Sequence, residues 1–443
     1  MEALKTTKLY LKFFSNFILD LSKILLVLII FVKEFFFGLI IAVFKRLFRG
    51  RAVHSQYNFQ KEVSLTISRR IGDTVQALQA NDAFYFRFQR KLFEVLLAPV
   101  NKQWEASGYA TFDYVADGVP CRAVCKKENE HDVKLLLDLI SVTTTKNEKI
   151  EVDPKTSKIR WILQHHGGGY TSGTRVSGQP VGHHFCEHAD STEDDYSTVS
   201  IIVDYRLAPE KKFPGAVVDA VKCFKYHVDK VGAEKIVLAG ESAGGGLVLS
   251  TLIALRDDLI CLEKEDLKAV KEPTADDTAC AAGIDTSEQA SDDSSEAVVN
   301  PMPAAALIFS PMLSCMQDTN YCRKNKYMDS ITASGVKTSA RAYVSCQEKA
   351  KHPLASPINA KYHDLPPLFI TAGETEIFLP LIEEFASNAK KHVDHGHVKY
   401  EVYDGCHHSF QLEYCENSKK LYDSAIEFVR EHCSPMQTTT VNK

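Results

Sequence analysis

The sequence predicts a doubly wound α/β fold with one mostly parallel β-sheet, preceded by an apolar N-terminal segment. From "IRWILQHHGGG" onward, apolar strand-like runs alternate with helical patterns as far as the C-terminal region. Most of these runs lead into glycine or proline without polar alternation, as buried parallel strands do. The chain has 443 residues, 45% of them hydrophobic, which is enough for one large α/β core and additional elements.

The N-terminal segment is apolar enough to suggest a membrane anchor over residues 1–51. Its most apolar window, 24–44, is about as long as a membrane-spanning helix, and no signal-peptide cleavage site follows it. Lys33 and Glu34 interrupt that window and would be costly inside hydrocarbon. Two interpretations stay open, a spanning helix and an interfacial segment that does not span. A buried amphipathic helix fits less well, because the segment is apolar on nearly all sides.

The remaining chain divides by pattern into a helical part and an α/β part. Residues 52–107 read as helices with amphipathic spacing, and 108–433 as the α/β domain, which begins with two short strand candidates, "YATFDYVA" and "VPCRAVC". Residues 272–300 are acidic and contain no lysine or arginine, which predicts a flexible surface insertion. Residues 434–443 are predicted to be a flexible tail.

Composition excludes two classes of partner or site. The net charge of −5 indicates no basic surface for nucleic acid. Twelve cysteines without a C-x-x-C pair argue against a zinc ribbon or a dense disulfide framework. The sequence does not identify a protein partner.

A nucleophile motif stands where the run "KIVLAG" meets the next helix. Gly240-Glu241-Ser242-Ala243-Gly244 is a G-x-S-x-G pattern at a strand-to-helix turn, which exposes a serine hydroxyl at the end of a strand. Alone the pattern is weak, because a glycine-rich turn with a capping serine looks the same. Its value depends on what else the chain supplies.

The upstream stretch "HHGGGY" (165–170) supplies backbone donors for an oxyanion. We assign the oxyanion hole to the N–H groups of Gly168, Gly169 and Ala243, and a turn-forming role to Gly167. A phosphate-binding loop is the alternative, but G-K-[ST] is absent.

Two later loops supply a base and an acid. "GCHHSF" offers His407 and His408 after the last strand candidate, and histidine suits a serine nucleophile because its pKa lies near working pH. "PLFITAGETEIF" offers Glu374 and Glu376 to orient the imidazole. The chain order serine, acid, histidine is that of an α/β-hydrolase.

A histidine cluster, "GHHFCEHAD", permits a different interpretation. His184 and His188 would share one helix face and form a plausible metal pair. The alternative is an ordinary helix with exposed imidazoles, and we predict no metal. Cys406 beside the histidine loop is predicted to be a packing residue, with a reactive thiol as the alternative.

These motifs together resemble the hormone-sensitive-lipase-like branch of the α/β-hydrolases, which includes arylacetamide deacetylases and fungal steryl acetyl hydrolases. The resemblance covers residues 105–432. It rests on "HGGGY", "DYRLAPE", "FPGAVVDA", "GESAGG" and a final G-x-x-H-x-F. The last pattern selects His408 over His407. The family pattern G-x-x-D falls on Glu376, so glutamate stands where the family usually has aspartate.

The resemblance implies a serine ester hydrolase without a cofactor. Ser242, Glu376 and His408 would be catalytic, and His166, Gly167, Tyr170 and Glu241 would support the motifs. A cap is implied over the site, formed by 52–107 with 328–345. The stretch "AFYFRF" at 83–88 is a candidate lining for it, with ordinary core packing as the alternative.

The expected substrates are small lipophilic esters, steryl acetate first. The expected location is the endoplasmic reticulum membrane, single-pass, with a lumenal catalytic domain. Long-chain acylglycerols, amides and a catalytically weak small-molecule receptor remain alternatives.

Overall fold

The protein is described by a computed structural model over residues 32–44, 57–79, 84–134, 159–190, 196–259, 300–393, 397–413 and 415–433, with 23, 25, 26, 29 and 30. Its centre is an eight-stranded sheet in the order β1-β2-β4-β3-β5-β6-β7-β8. The strands are β1 Tyr109–Ala116, β2 Val119–Lys126, β3 Ile159–His165, β4 Ser197–Val203, β5 Ile236–Glu241, β6 Ala305–Phe309, β7 Leu368–Gly373 and β8 Val398–Tyr403.

The mostly parallel sheet that the sequence predicts is confirmed. Strands β3 to β8 all pair in parallel, whereas β1 pairs antiparallel with β2 and β2 antiparallel with β4. Strands β3, β5, β6 and β7 are buried along their whole length, which accounts for their largely apolar sequences. Strand β3 also buries three polar residues, Arg160, Gln164 and His165. The edge strands β1 and β8 carry partly exposed residues.

Helices cover both faces of the sheet. The main helices are α2 Phe59–Gln79, α3 Phe84–Ala106, α4 Gln179–Asp190, α5 Gly215–Val231, α6 Ala243–Arg256, α7 Ala333–Tyr343, α8 Gln347–Lys351, α9 Leu379–His392 and α10 Glu416–His432, after a helical segment α1 at 32–44. Apolar side chains of α5, α6 and α9 form the core on one face, and those of α4 and α10 form it on the other. Parallel strands therefore end together at one edge, where the loops meet.

The predicted anchor is described only in part. No helix within the described residues is both long and apolar enough to cross a membrane. In α1, the buried Glu34 carboxylate lies 2.6 Å from the Arg70 guanidinium of α2, while Phe36 and Ile40 are exposed. Residues 1–22 and 45–51 of the predicted anchor, the insertion 272–299 and the tail 434–443 lie outside the described residues.

Helices α2, α3 and α7 lie in the segments that were predicted to form a cap, and we call them the cap helices. Helix α7 packs on α2, where the Thr332 hydroxyl donates to Asp73 at 2.6 Å. Arg90 of α3 donates from Nε to the Thr171 carbonyl at 2.7 Å, in the loop after β3. At the start of α2, the Lys61 ammonium donates to the Gly405 carbonyl at 3.0 Å, in the loop after β8. The cap helices are thus bonded to loops on both sides of the strand ends.

Candidate active site

The serine lies on a tight turn between β5 and α6. Ser242 has φ 56° and ψ −120°, and its N–H donates to the Phe309 carbonyl at 3.0 Å. A side chain on Gly244 would place Cβ 1.9 Å from the His165 carbonyl oxygen. The glycine is therefore required by close approach of two backbones, and the strained serine conformation is held by its surroundings.

Ser242, His408 and Glu376 form a continuous hydrogen-bonded line. His408 Nε2 lies 2.8 Å from Ser242 Oγ, and His408 Nδ1 lies 3.1 Å from Glu376 Oε2. The three come from the ends of β5, β7 and β8, separated by up to 166 residues in sequence. The extra methylene of glutamate, relative to aspartate, still leaves its carboxylate within reach of the imidazole.

Burial shapes the proton affinities of this line. Glu376 and His408 are 0% and 3% exposed. Loss of water raises the pKa of the Glu376 carboxyl and lowers the pKa of the His408 imidazole, since both ions are poorly solvated there. The negative charge of Asp329 opposes the second effect. His408 is therefore held as neutral imidazole, the form that accepts a proton.

His407 and Glu374, the alternatives to His408 and Glu376, form other contacts. His407 Nε2 lies 2.8 Å from Glu413 Oε1, and its Nδ1 lies 2.8 Å from the His408 carbonyl. Burial lowers the pKa of His407, but pairing with Glu413 outweighs burial and raises it overall. Glu374 accepts the Gly405 N–H at 2.8 Å. Both side chains thus stabilise the loops around His408.

The loop after β3 carries the predicted oxyanion donors. Gly168 and Gly169 have φ of 113° and 61°, in the region that favours glycine. Within the described residues, the N–H groups of Gly168, Gly169 and Ala243 meet no protein acceptor. The Gly167 N–H is instead bonded to Glu241 Oε1 at 2.7 Å. Three backbone donors near the serine are left for an incoming oxygen.

The motif-supporting residues hold that loop. Glu241 is buried, and its bond to Gly167 joins the oxyanion loop to the serine turn. His166 stacks on Tyr205 with ring centroids 4.4 Å apart, and the Tyr205 hydroxyl donates to the His166 carbonyl at 2.6 Å. Tyr170 stacks on Tyr343 of α7 at 4.0 Å. The loop is therefore packed on both sides by aromatic rings.

Sequence reasoning missed two buried polar residues beside the site, Asn325 and Asp329. The Asp329 carboxylate accepts the backbone N–H of His408 at 2.9 Å and that of Ile377 at 2.6 Å. Both residues come from a loop without a motif. The available signal was an Asn and an Asp four positions apart in "NKYMD", at the start of the segment 328–345 that was predicted as part of the cap.

The histidine cluster on α4 is buried, so the expectation of exposed imidazoles is wrong. Ligand atoms of His184, Glu187 and His188 lie within 4.8 Å of one another. His188 Nδ1 lies 2.7 Å from Asp423 of α10, and His184 stacks on Tyr422 at 4.8 Å. Packing of α4 against α10 and aromatic residues buries these rings, which the helical pattern alone does not reveal.

Cys406 and residues 84–88, the described part of the aromatic stretch, also have defined surroundings. Cys406 is buried, and burial raises the pKa of its thiol to about 11, so little thiolate forms at neutral pH. In α3, Tyr85 and Phe86 are buried, and Phe84 stacks on Phe88 at 6.1 Å.

Comparison with known proteins identifies related chains. A family described as alpha/beta hydrolase fold matches residues 162–412. An acetyl-hydrolase of Streptomyces hygroscopicus is 30% identical over 51% of this chain and 60% of its own length. A versiconal hemiacetal acetate esterase of Aspergillus parasiticus is 29% identical over 33% of this chain and 45% of its own length. Mouse hormone-sensitive lipase is 29% identical over 25% of this chain and 15% of its own length.

A solved esterase structure from the bacterial hormone-sensitive lipase family shares the fold. It superposes with a TM-score of 0.55 over 84% of this chain and 98% of that one, at 22% identity. The chain spans less than two thirds of the length of the three relatives above. The family match covers more than half of the chain, and the observed sheet is the one expected for this fold. The chain therefore belongs to the α/β-hydrolase family.

Proposed function

We propose that the protein is a serine carboxylic-ester hydrolase that removes short acyl groups from lipophilic alcohols, with a steryl acetate as its substrate. The observation that carries this proposal is the hydrogen-bonded line from Ser242 through His408 to Glu376. Such a line supplies a nucleophile, a base and a residue that orients the base.

The proposed mechanism assigns one role to each group. His408 removes the proton of Ser242 as its oxygen attacks the ester carbonyl, and the proton then passes to the leaving alcohol. The N–H groups of Gly168, Gly169 and Ala243 stabilise the oxyanion, and Glu376 orients His408. Water activated by His408 then releases the acid from Ser242. No cofactor takes part in this proposal.

The short-acyl preference is supported by the relatives. Two of them are named for acetyl or acetate chemistry, the acetyl-hydrolase and the versiconal hemiacetal acetate esterase. The lipophilic alcohol is supported by the apolar N-terminal sequence, which would keep the protein among lipids. We also propose that residues 1–51 attach it to the endoplasmic reticulum membrane as a single-pass anchor, with residues 52–107 as cap and 108–433 as a lumenal catalytic domain.

The proposal predicts a preference for short acyl chains. The full chain in detergent micelles should hydrolyse 4-nitrophenyl acetate with a higher kcat/KM than 4-nitrophenyl palmitate, and should release acetate from a steryl acetate. Preference for palmitate would indicate a long-chain lipase. Hydrolysis of 4-nitroacetanilide in place of the esters would indicate an amidase. Binding of the steryl ester without turnover by a folded protein would indicate a receptor.

The buried histidine predicts an acidic limit of activity below the ordinary histidine pKa of about 6.5. Because only neutral imidazole accepts the serine proton, activity falls as pH drops through the pKa of His408, and burial moves that pKa downward. We expect kcat/KM to stay level from pH 8 to 6.5 and to fall at lower pH. The profile is measured with 4-nitrophenyl acetate at the isosbestic wavelength of the product. A half-maximal value above pH 7 would contradict this expectation.

A further inference from the structure

The loop between β6 and α7 contacts the loop that carries Glu376 and the loop that carries His408. Asn325 and Asp329 lie four residues apart in this loop, and they are 1% and 0% exposed. Neither belongs to the line formed by Ser242, His408 and Glu376. Full burial of a carboxylate is costly, so its hydrogen bonds identify what it does.

Asp329 bonds to the main chain of both loops. Its Oδ1 accepts the N–H of His408 at 2.9 Å, and its Oδ2 accepts the N–H of Ile377, the residue after Glu376, at 2.6 Å. The Ser330 N–H adds a third donor at 2.6 Å. One carboxylate therefore fixes the backbone of the base and the backbone beside the acid. Burial raises the pKa of the Asp329 carboxyl, whereas the charge of His408 and the N–H donors of Ile377 and His408 lower it and favour the ionised form.

Asn325 bonds to one loop only. Its amide group donates to the carbonyls of Glu374 and Glu376, each at 2.9 Å. It carries no charge and makes no hydrogen bond to the loop of His408 within the described residues. Asn325 thus offers a matched comparison with Asp329, since both are buried and both hold the loop of the acid.

Charge distinguishes the two residues. The negative charge of Asp329 raises the proton affinity of His408, against the effects of burial and of the neighbouring His407. During the proposed reaction His408 becomes imidazolium, and a second carboxylate near it stabilises that charge. The titratable groups facing Asp329 from the surrounding elements are Tyr57, Arg69, Cys322, Glu376, His407 and His408.

We propose that Asp329 is a positioning residue of the proposed hydrolase, which fixes the backbones of the acid and base loops and places a second carboxylate beside His408. The inference rests on the proposed function for its kinetic consequence. Its electrostatic consequence is independent of turnover.

The test compares Asp329→Asn with Asn325→Ala and Asp329→Glu in the full chain. Asp329→Asn should lower kcat for 4-nitrophenyl acetate about 10- to 100-fold, the loss expected when a base is slightly misplaced and less stabilised. Its acidic limit should move to lower pH, because the charge that raises the His408 pKa is gone. Asn325→Ala should lower kcat, but its activity should fall at the same acidic pH as that of wild type. Asp329→Glu keeps the carboxylate, so its activity should also fall near the wild-type pH.

A second readout measures His408 itself. Nitrogen-15 histidine spectra, with His408 assigned from His408→Gln, give its titration in wild type and in Asp329→Asn whether or not the protein turns over an ester. A lower His408 pKa in the variant supports the proposal even where hydrolysis is absent, which would refute only the proposed function. An unchanged His408 pKa, or equal pH profiles for Asp329→Asn and Asn325→Ala, would overturn it.

Discussion

On the proposed function, Ser242→Ala is expected to lower kcat for 4-nitrophenyl acetate about 10⁵- to 10⁶-fold, the loss that removal of the nucleophile causes in a serine hydrolase. The hydroxyl is the group that lies 2.8 Å from His408 Nε2, and no other hydroxyl shares that contact within the described residues. The loss should appear in kcat, because the variant removes only the serine hydroxyl and leaves the other side chains that can bind the substrate unchanged. Purified variant and wild type are compared at equal protein concentration.

Ser250→Ala is the matched control for that variant. Ser250 lies on the same helix, α6, and its buried hydroxyl bonds to the carbonyls of Gly246 and Leu354 at 2.9 and 2.8 Å. Its loss should cost about 1–3 kcal/mol of unfolding free energy, because the Leu354 carbonyl is left without this donor. Esterase activity should stay close to wild type. Activity that survives Ser242→Ala but not Ser250→Ala would contradict the assigned nucleophile.

Gly244→Ala is expected to damage both stability and activity. The added Cβ would lie 1.9 Å from the His165 carbonyl oxygen, so the serine turn and the end of β3 must separate. Overpacking of this kind costs about 3 kcal/mol of unfolding free energy. Displacement of the serine should lower kcat/KM at least about 100-fold. Thermal unfolding and ester hydrolysis measure the two effects separately.

Gly72→Ala is the control for the glycine variant. A Cβ on Gly72 of α2 would meet no atom within 4 Å. Alanine is the better helix former, so the free energy of unfolding of the variant should equal that of wild type or exceed it by up to about 1 kcal/mol. Full activity and stability of Gly244→Ala would show that the close approach at the serine turn is not required.

The elements with strong local signals were predictable from sequence. Largely apolar runs predicted β3, β5, β6 and β7, because most positions of a strand buried on both faces are apolar. Ser242 was also predictable, since the backbone at a nucleophile turn admits only small neighbours. Chemistry left His407 and His408 as candidate bases, and the family resemblance selected His408. Burial of a strand and the tight turn at the serine constrain residues that are adjacent in sequence, so both are visible as a sequence pattern.

Long-range packing left no such pattern. The sequence could not choose between Glu374 and Glu376 by chemistry, because the choice depends on which carboxylate reaches the His408 ring across two loops. Asp329 was missed for the same reason, since its partners lie 48 and 79 residues away. The burial of His184 likewise depends on Tyr422, which packs against it but is far from it in the sequence, in the C-terminal helix α10.

The bonds from the cap helices to the catalytic loops constrain how this protein can evolve. Arg90 and Lys61 contact the loops after β3 and β8, so a substitution at either residue would disturb the loops that carry the candidate site. Exposed side chains of the same helices, such as Val95 of α3, are not constrained by burial. Such positions can therefore change during evolution while the contacts of Arg90 and Lys61 are kept.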